Sequence, residues 1–173
     1  DRESASGKII LLGEHAAVYG RPAIARPIPL AVEASVRKRS SVSNKGIDVI
    51  IPRWGVEQKV VPEAPGIPGI MAQLIHNLEL SKEAMTIEVF PNVPKAMGLG
   101  GSSALAVAII KALNKTYELA LKDAEINTLA YKCEQAAHGQ ASGVDNTVAT
   151  YGVPLFYQKE RDDPHFELSL IHI

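Results

Sequence analysis

The sequence predicts an α+β fold, and three local patterns predict it. Residues 30–37 alternate with a period of two, which is typical of a strand with one dry face. Residues 70–78 place apolar side chains at helical spacing. A glycine-rich loop, Gly98–Gly101, then leads into a strongly apolar segment that predicts a helix from about Ser102 to Leu119.

The first half of the chain predicts strands followed by one helix. Gly7–Leu12 indicates a short buried strand that ends at Gly13, and residues 39–46 indicate a hairpin turn. The second strand covers residues 23–38, with Leu30, Val32, Ala34 and Val36 on its dry face. The remaining elements are the strand Ile47–Ile51, the proline-rich connector Pro62–Pro68, and a helix that buries Ile70, Leu74, Ile75 and Leu78.

The second half predicts mainly helices. Thr86–Phe90 is a strand closed by Pro91 to Pro94. The helix after the glycine-rich loop is followed by helices at residues 122–138 and about 145–150, with Ile126, Leu129, Ala130 and Cys133 on the inner side of the former. Closing strands are expected at Leu155–Tyr157 and Phe166–Ile171.

Composition restricts the function classes. The 173 residues suit one domain or one large half of a two-domain protein. Because 18 Lys and Arg oppose 19 Asp and Glu, there is no basic excess for a nucleic-acid backbone. No apolar run reaches the roughly 18 residues of a membrane span, and no signal peptide opens the chain. We therefore expect no nucleic-acid or membrane partner and a cytoplasmic setting, with the lone Cys133 a buried apolar side chain rather than a thiol nucleophile.

The strongest local motif runs from Pro94 to Ala104, between a strand and an apolar helix. Its glycines allow a tight turn, and amides there can bind an anion that the helix dipole also favours. Ser102 and Ser103 could cap the helix, or a hydroxyl could reach a phosphate-bound Mg²⁺. A flexible turn with a serine cap is the alternative. The motif is neither the Gly-x4-Gly-Lys-[Ser/Thr] loop nor the dinucleotide fingerprint.

Two further segments carry charged residues beside glycines. In Gly7–Gly20, Lys8 begins the strand and Glu14 and His15 follow it, so Lys8 and Glu14 could frame a substrate. A solvated lysine and an ordinary charged turn are the alternative.

In Glu134–Thr147, Glu134 and His138 share a helix face, but no third ligand stands at a spacing suited to zinc. Asp145 lies just inside a new helix, where an anionic carboxylate could orient a substrate hydroxyl or accept its proton. It could equally just stabilise its own turn.

These three segments, in this order, resemble motifs of the GHMP kinase superfamily and, within it, the mevalonate kinase family. The resemblance spans residues 7 to about 158 and is most specific at Ser142–Asn146. It implies the fold of a GHMP-kinase N-terminal domain, which is a mixed sheet with helices on one side. A ribosomal protein domain has a similar fold. The sheet is expected to include a left-handed β-α-β crossover. It also implies transfer of the ATP γ-phosphoryl group to the 5-hydroxyl of mevalonate, a step in isoprenoid precursor synthesis.

The resemblance assigns a role to each site residue. Asp145 would orient or deprotonate the hydroxyl, and Lys8 beside it would lower the pKa of that hydroxyl and neutralise charge. Ser102 and Glu134 match the family's Mg²⁺ contacts, while Glu14 and His15 match positions in the mevalonate pocket, with Lys8 and Asp145. The phosphate-binding positions are Pro94, Gly98, Leu99, Gly100, Gly101, Ser102, Ser103 and Ala104.

Two departures from the family pattern qualify these roles. Gly101 stands where the family's loop, Gly-Leu-Gly-Ser-Ser-Ala, has its first serine, so Ser102 or, after a one-residue shift, Ser103 could contact the metal. The family's third motif, a glycine-rich loop in a C-terminal domain, has no counterpart. Because that motif is missing and the chain starts at Asp1, we expect residues 1–173 to be the ATP- and substrate-binding domain without its C-terminal partner. We also expect this domain alone to catalyse phosphoryl transfer poorly or not at all.

Two rival functions remain at this stage. Another GHMP kinase would act on phosphomevalonate, homoserine or a sugar, and a phosphorylated substrate would demand extra basic residues near the cleft. A non-catalytic module would bind nucleotide or an isoprenoid metabolite, but would not need both Lys8 and Asp145. The sequence does not determine the oligomeric state, and a homodimer is compatible with it.

Overall fold

The computed structural model describes residues 1–40, 46–94 and 98–158. The strands are β1 (Glu3–Leu12), β2 (Ala23–Lys38), β3 (Ile47–Ile51), β4 (Val56–Lys59), β5 (Met85–Pro91) and β6 (Leu155–Tyr157). The helices are α1 (Ile67–Asn77), α2 (Gly101–Tyr117), α3 (Asp123–His138) and α4 (Val144–Tyr151), with 3-10 turns at Ala16–Tyr19 and Pro52–Trp54. The predicted hairpin at 39–46 and the strand Phe166–Ile171 lie wholly or largely outside the described residues.

The strands form one mixed sheet. Their order is β1-β2-β5-β3-β4, and β6 pairs with the first residues of β2. All pairings are antiparallel except that of β3 with β5, which are connected through β4 and α1. This connection corresponds to the predicted β-α-β crossover. The left-handedness of the crossover remains a prediction.

The helices cover one face of the sheet, as predicted. In β5, Met85, Ile87 and Val89 are fully buried and belong to the same core cluster as the helix residues. The opposite face carries charged side chains such as Arg37 and Glu88, which form an ion pair of 3.3 Å. Alternation along β5 therefore places Met85, Ile87 and Val89 toward the helical layer and Glu88 on the other face.

Helix α2 is the centre of the core. Residues 103–110, together with 112 and 113, are all buried, so this helix is apolar nearly all round, as a helix covered on every side must be. Helix α1 buries Leu74 and Ile75 as the periodicity predicts. It begins at Ile67, within the predicted connector, because a proline is tolerated in the first helical turn.

Two strand predictions were wrong in detail. Leu30 was expected on the dry face of β2 but is 59% exposed, since its backbone is left-handed (φ 50°) and Ala31 is buried instead. The side chain of Asn92 donates to the carbonyl of Leu30, and its backbone N–H donates to that of Ala31, which stabilises this irregularity.

The first strand is longer and less buried than predicted. It starts at Glu3, so Lys8 lies within it rather than at its beginning. Its last residues Ile9, Leu11 and Leu12 are 48%, 51% and 65% exposed. Ile9 and Leu11 alternate with the buried Lys8 and the partly buried Ile10, so their side chains lie on the sheet face that the helices do not cover.

The glycine-rich loop is joined to β1 by close backbone contact. The N–H of Lys8 donates to the carbonyl of Leu99 at 2.9 Å. A Cβ at Gly7 would lie 2.7 Å from that same carbonyl oxygen, and a Cβ at Gly100 would lie 2.9 Å from Cγ of Lys8. Both positions therefore require glycine, and Gly100 also has a left-handed φ of 68°.

We expect Gly100→Ala to destabilise the chain more than Gly55→Ala does. Both glycines have left-handed backbones, but nothing lies within 4 Å of a Cβ at Gly55. Both variants carry the strain of a left-handed alanine, about 1–2 kcal/mol, and the contact with Lys8 adds about 1–3 kcal/mol at Gly100 alone. Urea unfolding of both variants measures the difference, and equal losses would contradict the close packing of Gly100 on Lys8.

Candidate active site

A lysine and an aspartate from distant parts of the chain form an ion pair beside the glycine-rich loop. The Lys8 Nζ lies 2.8 Å from Oδ1 of Asp145. The Lys8 side chain is only 8% exposed, whereas that of Asp145 is 28% exposed. An ammonium group buried to this degree requires a partner, and the carboxylate that provides it keeps an open side toward solvent.

Asp145 is held in the first turn of α4. Gly143 precedes the helix in a left-handed conformation, and the Val144 N–H bonds to Oγ of Ser142. The hydroxyl of Tyr157 in β6 donates to the carbonyl of Ser142, which fixes this turn against the sheet. The helix dipole favours the anionic form of a carboxylate at this position.

A second carboxylate lies across the loop from this pair. Ser102, in the first turn of α2, donates its hydroxyl to Oε1 of Glu134 on α3 at 2.6 Å. The other carboxylate oxygen of Glu134 is 3.9 Å from Nε2 of His138. The Glu134 side chain is 10% exposed. A hydroxyl and a carboxylate are oxygen donors of the kind that Mg²⁺ prefers, so this pair fits a magnesium contact.

The structure separates the two neighbouring serines. Neither caps α2, because the cap residue is Gly100 and no side chain bonds there, so the predicted serine cap was wrong. Both serines lie inside the helix, where each residue turns the side chain by about 100°. Ser102 therefore faces Glu134, whereas Ser103 is fully buried and its Oγ has no partner among the described residues.

Two cavities meet at the charged residues. The larger, about 1090 Å³, extends from the glycine-rich loop to Trp54 and α1. The smaller, about 210 Å³, is lined by Lys8, Glu14 and Gln140 among others. Glu134, His138 and Asp145 line both cavities. Functional groups that the sequence scatters over more than 130 residues thus meet at one junction.

Most of the predicted site residues are brought together here. The larger cavity is lined by Pro94, Gly98, Leu99, Gly100, Gly101 and Ser102. Ser103 and Ala104 are fully buried and line neither cavity, and the Ala104 N–H already bonds to the carbonyl of Gly100. Glu14 lines the smaller cavity, but the exposed His15 does not. Residues 95–97 of the predicted motif lie outside the described residues.

His138 lines both cavities, although no role in the substrate site was predicted for it from the sequence. His138 was considered only as a metal ligand with Glu134, and within the described parts of the chain no three His, Cys, Asp or Glu side chains form a metal cluster. Its position in both cavities could have been inferred from its spacing of four from Glu134, which puts both residues on one helix face.

Cys133 is buried as predicted. Burial and, to a smaller extent, the neighbouring Glu134 raise the pKa of its thiol to about 12, so the thiolate needed of a nucleophile is scarce at neutral pH. Among the described residues, no helix has the length and hydropathy of a membrane span.

The chain resembles known proteins in sequence and in fold. The family model for the N-terminal domain of GHMP kinases matches residues 69–153. The mevalonate kinase of Thermococcus gammatolerans is 33% identical over 175 aligned positions, which cover 93% of this chain and 52% of that protein.

Two solved structures of mevalonate kinases are similar to this chain in fold. The Methanococcus jannaschii mevalonate kinase superposes with a TM-score of 0.80 and 26% identity, covering 91% of this chain and 53% of its own. The L. major mevalonate kinase in complex with R-mevalonate has a TM-score of 0.72 and 29% identity, covering 97% and 52%. The chain spans about half the length of the relatives that it matches. The family model, the aligned relatives and the fold agree: the chain is similar to the N-terminal domain of GHMP kinases, and residues 69–153 are the part that the family model matches.

Proposed function

We propose that the chain provides the nucleotide- and substrate-binding domain of a mevalonate kinase, which transfers the γ-phosphoryl group of ATP to mevalonate. The observation that carries this proposal is the Lys8–Asp145 pair, 2.8 Å long, at the junction of the two cavities. Phosphoryl transfer mainly requires two bound reactants in line and countercharge between them. The two cavities offer a place for each reactant, and the Lys8 ammonium would supply positive charge close to where they meet.

The larger cavity suits the nucleotide. Its volume of about 1090 Å³ is at the upper end of small-molecule sites. Its floor is the glycine-rich loop and the start of α2, whose amides and dipole favour phosphate. Its wall also contains the apolar side chains of Trp54 and Ile70, against which a base could pack. ATP would therefore lie with its phosphates toward Lys8 and Asp145.

Ser102 and Glu134 would hold the magnesium ion that accompanies ATP. When bound, Mg²⁺ neutralises phosphate charge and orients the phosphate oxygens. The Ser102 hydroxyl donates to Oε1 of Glu134, and this bond keeps both oxygens close together. Ser103 cannot take this role without rotation of α2, because its hydroxyl is buried on the core side.

The smaller cavity suits the acceptor alcohol. Asp145 would orient the hydroxyl and accept its proton as the oxygen forms a bond to the γ-phosphorus and the bond to the ADP oxygen breaks. The Lys8 ammonium would neutralise charge on the reacting oxygens. A cavity of about 210 Å³ fits a compact acceptor, and the relatives at 33% identity are mevalonate kinases. Assay of the complete gene product against mevalonate, phosphomevalonate, homoserine and hexoses tests the choice of acceptor.

We expect Asp145→Asn to abolish most of the phosphoryl transfer. The amide keeps the size of the side chain but cannot accept a proton, so kcat should fall by about 10²–10⁴-fold. The affinity for ATP should stay nearly unchanged, because the glycine-rich loop and the rest of the larger cavity would supply most of the ATP contacts. Steady-state kinetics and nucleotide titration of the complete gene product measure both.

Asp123→Asn is the matched control for this variant. Asp123 lies in the first turn of α3, as Asp145 does in α4, but it is exposed and lines neither cavity. Wild-type turnover is expected for Asp123→Asn. A wild-type kcat for Asp145→Asn would exclude the proposed role of Asp145.

Glu134→Gln and Ser102→Ala should raise the Mg²⁺ concentration that half-saturates activity, by about 10–100-fold. Ser103→Ala should leave this concentration unchanged, since the Ser103 hydroxyl is directed into the core. Titration of activity with Mg²⁺ at fixed ATP distinguishes the two serines. If Ser103→Ala shifted the requirement and Ser102→Ala did not, the assignment of the metal contact would move to Ser103.

A further inference from the structure

A group of buried polar side chains lies directly beneath the turn that carries Asp145. Asn127 on α3 is 6% exposed, and Asn146 and Thr147 on α4 are 1% and 0% exposed. Asn127 and Thr147 line neither cavity, so they contact neither nucleotide nor acceptor in the proposed reaction, whereas Asn146 borders the smaller cavity. The phosphoryl-transfer chemistry therefore does not account for Asn127 and Thr147.

Asn127 bonds to both residues that follow Asp145. Its Oδ1 accepts from Nδ2 of Asn146 at 2.6 Å, and its Nδ2 donates to Oγ1 of Thr147 at 3.3 Å. The Thr147 hydroxyl in turn donates to the carbonyl of Gly143, the cap residue of α4, at 2.6 Å. One side chain on α3 thus fixes the rotation and the register of the first turn of α4.

The apolar contacts of α4 do not fix this rotation by themselves. Its buried apolar residues include Val144 and Val148, which pack beside alanines and Leu155 in a small cluster. Smooth aliphatic contacts tolerate small rotations, whereas a buried hydrogen bond of defined geometry does not. The group also leaves Oδ1 of Asn146 without a partner among the described residues, a cost that stability alone does not explain.

The same helix carries the proposed metal contact. Asn127 and Glu134 are separated by two helical turns and lie on one face of α3. Helix α3 therefore holds Glu134 against Ser102 at one point and α4 at another. Its position sets the distance between the carboxylate of Glu134 and that of Asp145.

From this geometry we infer that Asn127 is a positioning residue for phosphoryl transfer: it fixes the first turn of α4 so that the Asp145 carboxylate meets Lys8 Nζ and the acceptor hydroxyl. The inference rests on the proposed function of Asp145. Asn127 touches no reactant and acts through the backbone of residues 143–147.

The first test is Asn127→Ala in the complete gene product. A small displacement of a reacting group costs up to about 10²-fold in rate, so kcat should fall by about 10–100-fold with the KM values for ATP and acceptor nearly unchanged. Asn114→Ala is the matched control, because the partly buried side chain of Asn114 makes two hydrogen bonds to the backbone of Leu121. It should lower the melting temperature and leave kcat at the wild-type value.

A double-mutant cycle separates positioning from stability. If Asn127 acts through Asp145, Asn127→Ala lowers kcat in the wild type and causes no further loss in Asp145→Asn. Multiplied losses, or a lowered melting temperature with wild-type kcat for Asn127→Ala, would overturn the inference. A wild-type kcat for Asp145→Asn alone would instead refute the proposed function, so the two failures are distinguishable.

A milder pair keeps the inference testable if Asn127→Ala does not fold. Thr147→Val preserves side-chain volume but removes the acceptor of Asn127 Nδ2, whereas Thr147→Ser retains the hydroxyl. We expect Thr147→Val to lower kcat by several-fold at unchanged KM, and Thr147→Ser to restore it at least in part. Equal kcat values for both variants and the wild type would overturn the inference.

Discussion

The contact between Lys8 and Asp145 is the constraint on which the rest of the site depends. A nearly buried ammonium group is stable only beside an opposite charge, so β1 and the first turn of α4 must meet at this point. Every other group of the site is defined relative to this pair. The glycine-rich loop bonds to the backbone of Lys8, and α3 bonds to the residues that follow Asp145. The ion pair therefore connects four elements that are distant in sequence.

The arrangement explains why small residues border the pair. Gly7 and Gly100 permit the loop to approach the strand to within the length of a backbone hydrogen bond, and larger residues would push Lys8 away. Gly152, at the other end of α4, approaches Ser6 of the same strand, where an added Cβ would lie 3.4 Å from its hydroxyl. Close packing at both ends leaves α4 little freedom to slide along β1.

The sequence predicted the elements well because most of them follow local rules. Apolar periodicity located α1, α2 and α3, and glycines marked both the loop and the start of α4. The failures lie where long-range contacts override the local pattern. The left-handed backbone of Leu30 is stabilised by Asn92, which is 62 residues away, and Leu11 is exposed because no helix packs over its face of β1. No local pattern contains either feature.

For the site, the resemblance to GHMP kinase motifs pointed to Lys8, Glu134 and Asp145, but it could not show which serine faces Glu134. That choice depends on where α2 begins, because one residue changes the direction of a side chain by about 100°. The start is set by the left-handed Gly100, whose conformation is restricted by contact with Lys8. His15 was expected beside Glu14 in the substrate pocket. Glu14 lines the smaller cavity, but the turn at these residues directs the His15 side chain elsewhere.

The structure explains why a glycine can occupy position 101. It stands where the family's loop has a serine, and it is the first residue of α2. An added Cβ there would approach nothing nearer than a methyl group of Val93, at 3.8 Å, so the site does not require glycine for space. Since Gly100 fixes the start of the helix, the serine that follows Gly101 is the one that reaches Glu134. The residue at the first position of α2 can therefore vary. The contact between Gly100 and Lys8 in β1, and not the number of serines in the loop, determines which serine faces Glu134.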